Sequence, residues 1–259
     1  MSCHDTDNMK ITISQSRGQI DDPQANISKA KMVISNVEAD LFIFPEMFMC
    51  GYVKVKEKMF FKILEGRTID KMKELSAKKG CAMVFGIPVQ DDGKIYNTAM
   101  FLNGEDKGVY KKIHLDPDLN EDKLFTPGSE PLCFEYKGLK FGLAISNDLY
   151  YPELFRSYAE KDVDIVICIS AASDNRMKGY DKLLAARALE NSLNIIFVNM
   201  VGPDPGEMMV GRSKWIGSDG NVIEGCTESS DVRVLRINDS DIKAGERKKL
   251  KGVRKDITW

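Results

Sequence analysis

Three polar residues stand where apolar runs break off: Glu46 after 41–44, Lys112 within 108–115, and Ser146 after 141–145. Attack on the carbon of an amide or nitrile needs a nucleophile, a group that takes and returns its proton, and something that holds the developing negative charge. A side chain at 146, a carboxylate at 46 and an ammonium at 112 would supply all three without metal or cofactor. The stretch 141–153 starts as a short strand, turns polar at the serine and restarts as a helix behind Pro152, whose fixed φ suits the first helical position. Ser146 is thereby placed at the carboxyl end of a strand, where α/β sheets bind their ligands. No glycine lies two residues to either side of it, so the G-x-S-x-G elbow of serine hydrolases is absent.

Each of these residues has an ordinary structural role open to it as well. Glu46 would favour the positive end of a following helix, and Lys112, beside Lys111, would serve as surface charge. Asp148 would cap the helix that begins at Pro152, and Arg187 and Glu190 would pair along a helix face. His114 shares a strand face with Tyr110 and Lys112 under period-two alternation. That opens a Ser–His hydrolase reading beside that of a structural histidine.

In order and spacing the segments resemble the nitrilase (carbon–nitrogen hydrolase) superfamily over nearly the whole chain from Met9 onward. Phe44–Pro45–Glu46–Met47–Phe48, with Gly51–Tyr52, is similar to its glutamate motif, and Tyr110–Lys111–Lys112–Ile113–His114–Leu115 to its lysine motif. Asp148, Leu149, Tyr151, Pro152 and Glu153 match the segment that follows its nucleophilic cysteine, whose place is taken by Ser146. Glu121, shortly before Pro127–Gly128, falls where many members carry a second, positioning glutamate. Residues 186–191, 199–202 and 211–213 match further family segments.

The resemblance implies an α/β fold of the αββα kind, two sheets face to face with helices outside. It makes Glu46 the general base and then acid, Lys112 with a backbone N–H near Asn147 the oxyanion hole, and Glu121 an orienting group. Substrate contacts are expected from Tyr52, Asn147, Ser170 and Ala171, with no cofactor. The expected substrate is a small non-peptide amide, because Asn147–Asp148–Leu149 is closer to the amidase-like branches than to the Trp–Glu pair of typical nitrilases. A nitrilase and a catalytically silent small-molecule binder are the alternatives. Protomers are expected to pair at least as homodimers through helices 151–160 and 180–193.

The serine matters for activity. A thiol ionises near pH 8.5 and a neighbouring lysine lowers that, whereas a serine hydroxyl needs a strong, well-aligned base. The chain is therefore expected to be nearly inactive, the thioester route belonging to a cysteine form. A serine there is either a deliberate change made to trap a ligand or a natural variant that binds without turnover. The intact Glu46, Lys112 and Glu121 favour the first.

The elements that must position these residues are legible in outline. Strands are expected at 9–15, 41–44, 82–89, 95–102, 108–115, 163–169, 195–200, 208–218, 222–224 and 232–237, and helices at 23–37, 68–79, 151–160 and 180–193. Asp91–Asp92–Gly93 marks a hairpin, and 116–128 a long polar loop. Pocket walls are expected from the loop after Glu46, from 116–128 and from 170–178, where Ser173, Asp174 and Arg176 offer polar contacts. The basic segment 247–255 reads as a solvated helix face. Strands alternating with helices and hairpins indicate one layered α/β domain over 9–259 behind a loose leader at 1–8.

Composition excludes several classes. A formal net charge of −2 gives no reason to expect nucleic acid or an anionic membrane surface as partner. No apolar run approaches the ~20 residues that span a bilayer. Asp5 and Asp7, with no apolar core between them and the first strand, argue against a signal peptide. The six cysteines are scattered without a C-x-x-C pair, which indicates reduced thiols and a cytoplasmic protein. Only His4 and His114 could assist them, so zinc is not expected.

Overall fold

The structure, a computed structural model, describes residues 9–51, 67–204, 207–238 and 242. The leader at 1–8, Tyr52 and the basic segment 247–255 lie outside the described residues.

β1 (Met9–Gln15) carries Ile11 and Ile13 on one face. α1 (Pro23–Asn36) starts at a proline behind Asp22, whose carboxylate accepts the Ala25 N–H at 2.9 Å, and buries Ile27, Ala30, Val33 and Ile34 as a helical stripe. β2 (Leu41–Ile43), α2 (Arg67–Lys79) and β3 (Ala82–Asp91) follow. Asp92 and Gly93, at φ 47° and 71°, form the two-residue turn into β4 (Lys94–Asn103), and β5 (Asp106–Lys111) pairs back on it.

In the second half β6 (Cys133–Tyr136) and β7 (Leu139–Ile145) make a hairpin, then α3 (Pro152–Glu160) leads to β8 (Ile165–Ser170) and α4 (Asp174–Asn191) to β9 (Asn194–Asn199). A ribbon of β10 (Val201–Asp204) and β11 (Glu207–Val210) precedes β12 (Lys214–Ile216), β13 (Val222–Gly225) and β14 (Asp231–Ile237).

The remaining strands form two six-stranded mixed sheets, ordered β14-β1-β2-β3-β4-β5 and β13-β12-β9-β8-β7-β6. Each has a parallel centre, β1–β2–β3 in one and β7–β8–β9 in the other. Alternation divides the first sheet between two cores. Ile11, Ile13, Leu41, Ile43, Val84 and Phe101 join the cluster that includes Leu143 and Ile145 of the second sheet. Phe42, Phe44, Met83, Phe85 and Met100 pack instead with Ile27 and Ile34 of α1 and Met72 of α2. A one-residue slip of β2 would exchange the two sets, so its register is strongly specified. On the far side α3 and α4 bury Phe155, Tyr158, Tyr180 and Leu184 in the second sheet's cluster. The expected layering of helices, two sheets and helices is the observed one.

Three expectations need correction. The strand expected over 108–115 ends at Lys111. Beyond it the chain stays tethered through Lys112 N–H to Asn97 O and Gly128 N–H to Lys112 O, both at 2.8 Å, while Lys112 turns its side chain inward. The helix expected from Tyr180 starts at Asp174, so much of the expected 170–178 wall is helix. The polar residues of its first turns hide the start, which is announced only by the buried Met177. The single strand expected over 208–218 is broken at Gly211 and Arg212, whose positive φ of 66° and 57° turns the chain between β11 and β12.

Candidate active site

Strand directions decide which end of each sheet carries the polar residues. β2 and β3 are parallel, and two antiparallel steps bring β5 into the same direction. Glu46, just past β2, and Lys112, just past β5, therefore emerge at one edge of the first sheet. Ser146, just past β7, and Ser170, the last residue of β8, emerge together from the second, because those strands are parallel. The two edges meet where the Ala171 N–H donates to Glu46 Oε2 at 2.9 Å. Gly86 of β3 lets the Glu46 turn approach: a Cβ there would lie 2.2 Å from Met47 N and 2.6 Å from Glu46 Cα.

A closed ring of polar contacts surrounds the site. Lys112 Nζ donates to Glu46 Oε1 at 3.2 Å and to Glu121 Oε1 at 2.9 Å. Glu121 Oε2 accepts the Asp116 N–H at 2.8 Å, and the Asp116 carboxylate pairs with Arg176. The Arg176 charge acts on the phenol of Tyr180, which lies 3.1 Å from Ser146 Oγ. Ser146 Oγ is also 3.2 Å from Ser170 Oγ, and Ala171, next in the chain, closes the ring on Glu46. Asn97 of β4 adds a third hydrogen bond to Glu46, donating to Oε1 at 2.7 Å. Glu46, Lys112 and Glu121 are each 1 % exposed and Ser146 6 %, so these interactions act almost out of water. The hydrogen bonds of Ser146 Oγ run to Ser170 and Tyr180; Glu46 and Lys112, expected to touch it, hydrogen-bond other partners and join it through Ala171 and Ser170.

Ser146 itself sits at φ 47°, a left-handed conformation that costs a non-glycine residue about 1–2 kcal/mol. The residues that hold it there were expected to do other things. Asp148 does not cap α3, whose cap position is Tyr151 with no side-chain bond. It is fully buried and accepts from Ile145 N, His114 N, His114 Nδ1 and Tyr110 Oη at 2.7–3.0 Å, tying the serine turn to the segment that follows β5. Arg187 does pair with Glu190, and it also donates to the Leu149 and Tyr150 carbonyls of the same turn. The Asn147 amide donates to the carbonyls of His114 and Leu115. His114 stacks on Tyr151 at 3.6 Å and commits Nδ1 to Asp148. It fastens the turn and does not bond Ser146, which removes the basis of the Ser–His reading.

Electrostatics assigns distinct capacities to the buried groups. Burial raises the Glu46 carboxyl above its ordinary range; Lys112 opposes this and Glu121 adds to it. Burial alone would depress Lys112, but Glu46 and Glu121 outweigh it and hold the ammonium protonated well beyond neutral pH. Burial likewise raises the Tyr180 phenol, against the pull of Lys112, the Ser146 bond and Arg176. At neutral pH the lysine is thus a fixed cation and the phenol a neutral donor. The group suited to exchanging a proton is Glu46, because a raised carboxyl pKa lies closer to the working pH. Among the described residues no group of three or more His, Cys, Asp or Glu is placed to hold a metal ion, and no helix is long and apolar enough to cross a membrane.

The family model for carbon-nitrogen hydrolases matches residues 10–247 of this chain. The chain belongs to the carbon–nitrogen hydrolase family. Among its relatives in that family are a probable nitrilase of Schizosaccharomyces pombe, 30 % identical over 239 residues and 86 % of each chain. A 2-oxoglutaramate amidase of Bacillus subtilis is 30 % identical over 234 residues, covering 87 % of this chain and 90 % of the relative. A crystal structure of a CN-hydrolase superfamily protein from Xanthomonas campestris superposes with a TM-score of 0.86 at 23 % identity, over 97 % of this chain and 99 % of that one. At that identity it shows the shared fold.

Of the residues singled out from the sequence, the structure brings Glu46, Lys112, Glu121, Ser146, Ser170 and Ala171 into the one ring. Ser170 and Ala171, expected as substrate contacts, bond the serine and the glutamate directly. Tyr180, Asn97, Asp116 and Arg176 were not assigned to the reacting groups. Tyr180 had a signal: the buried stripe Met177, Tyr180, Leu184, Arg187, Ala188, Asn191 carries polar side chains where a purely structural helix would be apolar. Asn97 had none, since an asparagine in a strand gains meaning only from the neighbour strand that it faces.

Proposed function

We propose that this carbon–nitrogen hydrolase carries the machinery for cleaving a small non-peptide amide, and that Ser146 stands in the position of the family's nucleophilic cysteine. The buried Glu46–Lys112–Glu121 cluster, linked to Ser146 through Ala171 and Ser170, carries this reading, and the amidase among the relatives supports it. In the cysteine form the sulfur attacks the carbonyl carbon as Glu46 takes its proton. Lys112 offsets the charge on the oxygen. Collapse breaks the C–N bond, and Glu46 returns the proton to the departing ammonia or amine. Water then attacks the thioester with Glu46 again as base, releasing the acid and restoring the thiol. Glu121 orients Lys112 throughout.

With serine the same carboxylate is a poor match to the weakly acidic hydroxyl, so turnover is slow. Ammonia release on a panel of small amides, measured for this chain and for Ser146→Cys, tests the reading. The expected result is a near-blank for the chain and a gain of at least about 10²-fold for the variant. No release from either would favour the silent small-molecule binder, which the engagement of Ser146 Oγ by Ser170 and Tyr180 also suits.

The reading includes a homodimer. Tyr150 and Leu189 expose about half of their surfaces on the α3–α4 side, and Ile223 and Val222 do so on β13. Leu189 lies beside the turn at Gly220 that enters β13. Exposed apolar side chains at these positions support a self-association surface there.

A further inference from the structure

The phenol of Tyr180 has no task in the amide-cleaving reading. It lies 3.1 Å from Ser146 Oγ, the atom at which the reaction begins. Its ring is fixed edge-on between Tyr150 and Phe197, with centroids 5.9 and 6.3 Å away, and its position in the α4 stripe prevents it from swinging out. Arg176, one turn earlier on α4, brings its positive charge to bear on the phenol and is itself held by Asp116. A hydroxyl anchored in this way is preorganised, so it pays little orientational cost when charge appears beside it. The other near hydroxyl is Ser170 Oγ, at 3.2 Å.

We propose that Tyr180 is a further catalytic residue, its phenol donating a hydrogen bond to the side-chain atom of residue 146 when that atom becomes an anion. The inference rests on residue 146 being the nucleophile's place. The phenol gives up no proton: the proton of residue 146 passes to Glu46, and Tyr180 shifts from sharing its hydrogen with a neutral partner to donating to a charged one, a stronger bond. Burial holds the phenol protonated, with Glu46 adding to it, while Lys112 and Arg176 pull the other way and ease the polarisation of its O–H. The other ionisable groups around the turn are Glu121, bound to Lys112, Asp148, committed to Tyr110 and His114, and Cys168, whose buried thiol is pushed far up.

The test uses the full chain carrying Ser146→Cys, with the alkylation rate of the introduced thiol by iodoacetamide followed against pH on its own tryptic peptide, apart from the native cysteines. Adding Tyr180→Phe keeps the ring and its packing and removes only the donor. The midpoint of thiol reactivity should rise by about one to two pH units, the worth of a hydrogen bond to a charged group. On a substrate found active, kcat should fall while KM changes little. Should that variant fail to fold, 3-fluorotyrosine introduced at 180 preserves the shape and acidifies the phenol, and the midpoint should move down. A midpoint unmoved by both changes overturns the proposal. The two readings fail separately. A shifted midpoint in a protein that cleaves no amide upholds Tyr180 and sinks the amidase; restored cleavage with an unmoved midpoint does the reverse.

Discussion

Glu46 holds three donors on two oxygens: Asn97 and Lys112 on Oε1 and the Ala171 N–H on Oε2. These bonds favour its ionised form, yet burial wins and its pKa stands above the ordinary 4.5. The sign for stability follows. A carboxyl raised in the folded state adds stability that is complete below its unfolded pKa and is lost as pH climbs through the raised value. For catalysis the direction reverses, because the base form appears only above that value. The acid limb of kcat/KM for Ser146→Cys is therefore expected above 4.5, the ordinary glutamate value. Asn97→Ala, which deletes a donor to the carboxylate, should move the limb up by about one unit. A pH–rate profile of the two proteins checks both, and a limb that moves down would show that Asn97 does not act through Glu46.

Elements matter here through how closely their ends approach. The turn carrying Glu46 lies on β3, and Gly86 is what lets it do so, since any Cβ there would meet backbone atoms that cannot swing aside. Gly86→Ala should cost about 1–3 kcal/mol of stability, measured by urea unfolding. In the Ser146→Cys background it should also lower kcat by about 10²-fold, the usual effect of displacing a reacting group by an ångström. Loss of stability with full activity would mean that the turn relaxes elsewhere. The Ser146 turn is fastened from two sides, by Asp148 to the segment after β5 and by Arg187 from α4. Its positive φ is sustained by that double anchorage.

For the whole molecule, α4 links three tasks. It carries Tyr180 at the nucleophile, Arg187 behind the turn and Leu189 on the exposed face. A dimer through that face would brace the same helix from outside. Light scattering is expected to give twice the 29.1 kDa chain mass, and Leu189→Glu, which places a charge in the contact, is expected to shift the population to monomer. A monomer at all concentrations before the substitution would remove the dimer from the reading.

Much of this was available from the chain alone. Alternating Ile11 and Ile13, the continuous apolar runs of β2 and β8, and Asp92–Gly93 are local signals, and local signals specify strands, their faces and their turns. The order of the Glu46, Lys112, Glu121 and Ser146 segments carried the family. What required three dimensions was every relation between residues distant in sequence: that Asp148 serves Tyr110 and His114 instead of α3, that Asn97 supports Glu46, and that Tyr180 meets Ser146. Such contacts depend on the direction and register in which strands from opposite sheets end, and no short stretch of sequence encodes where another strand stops.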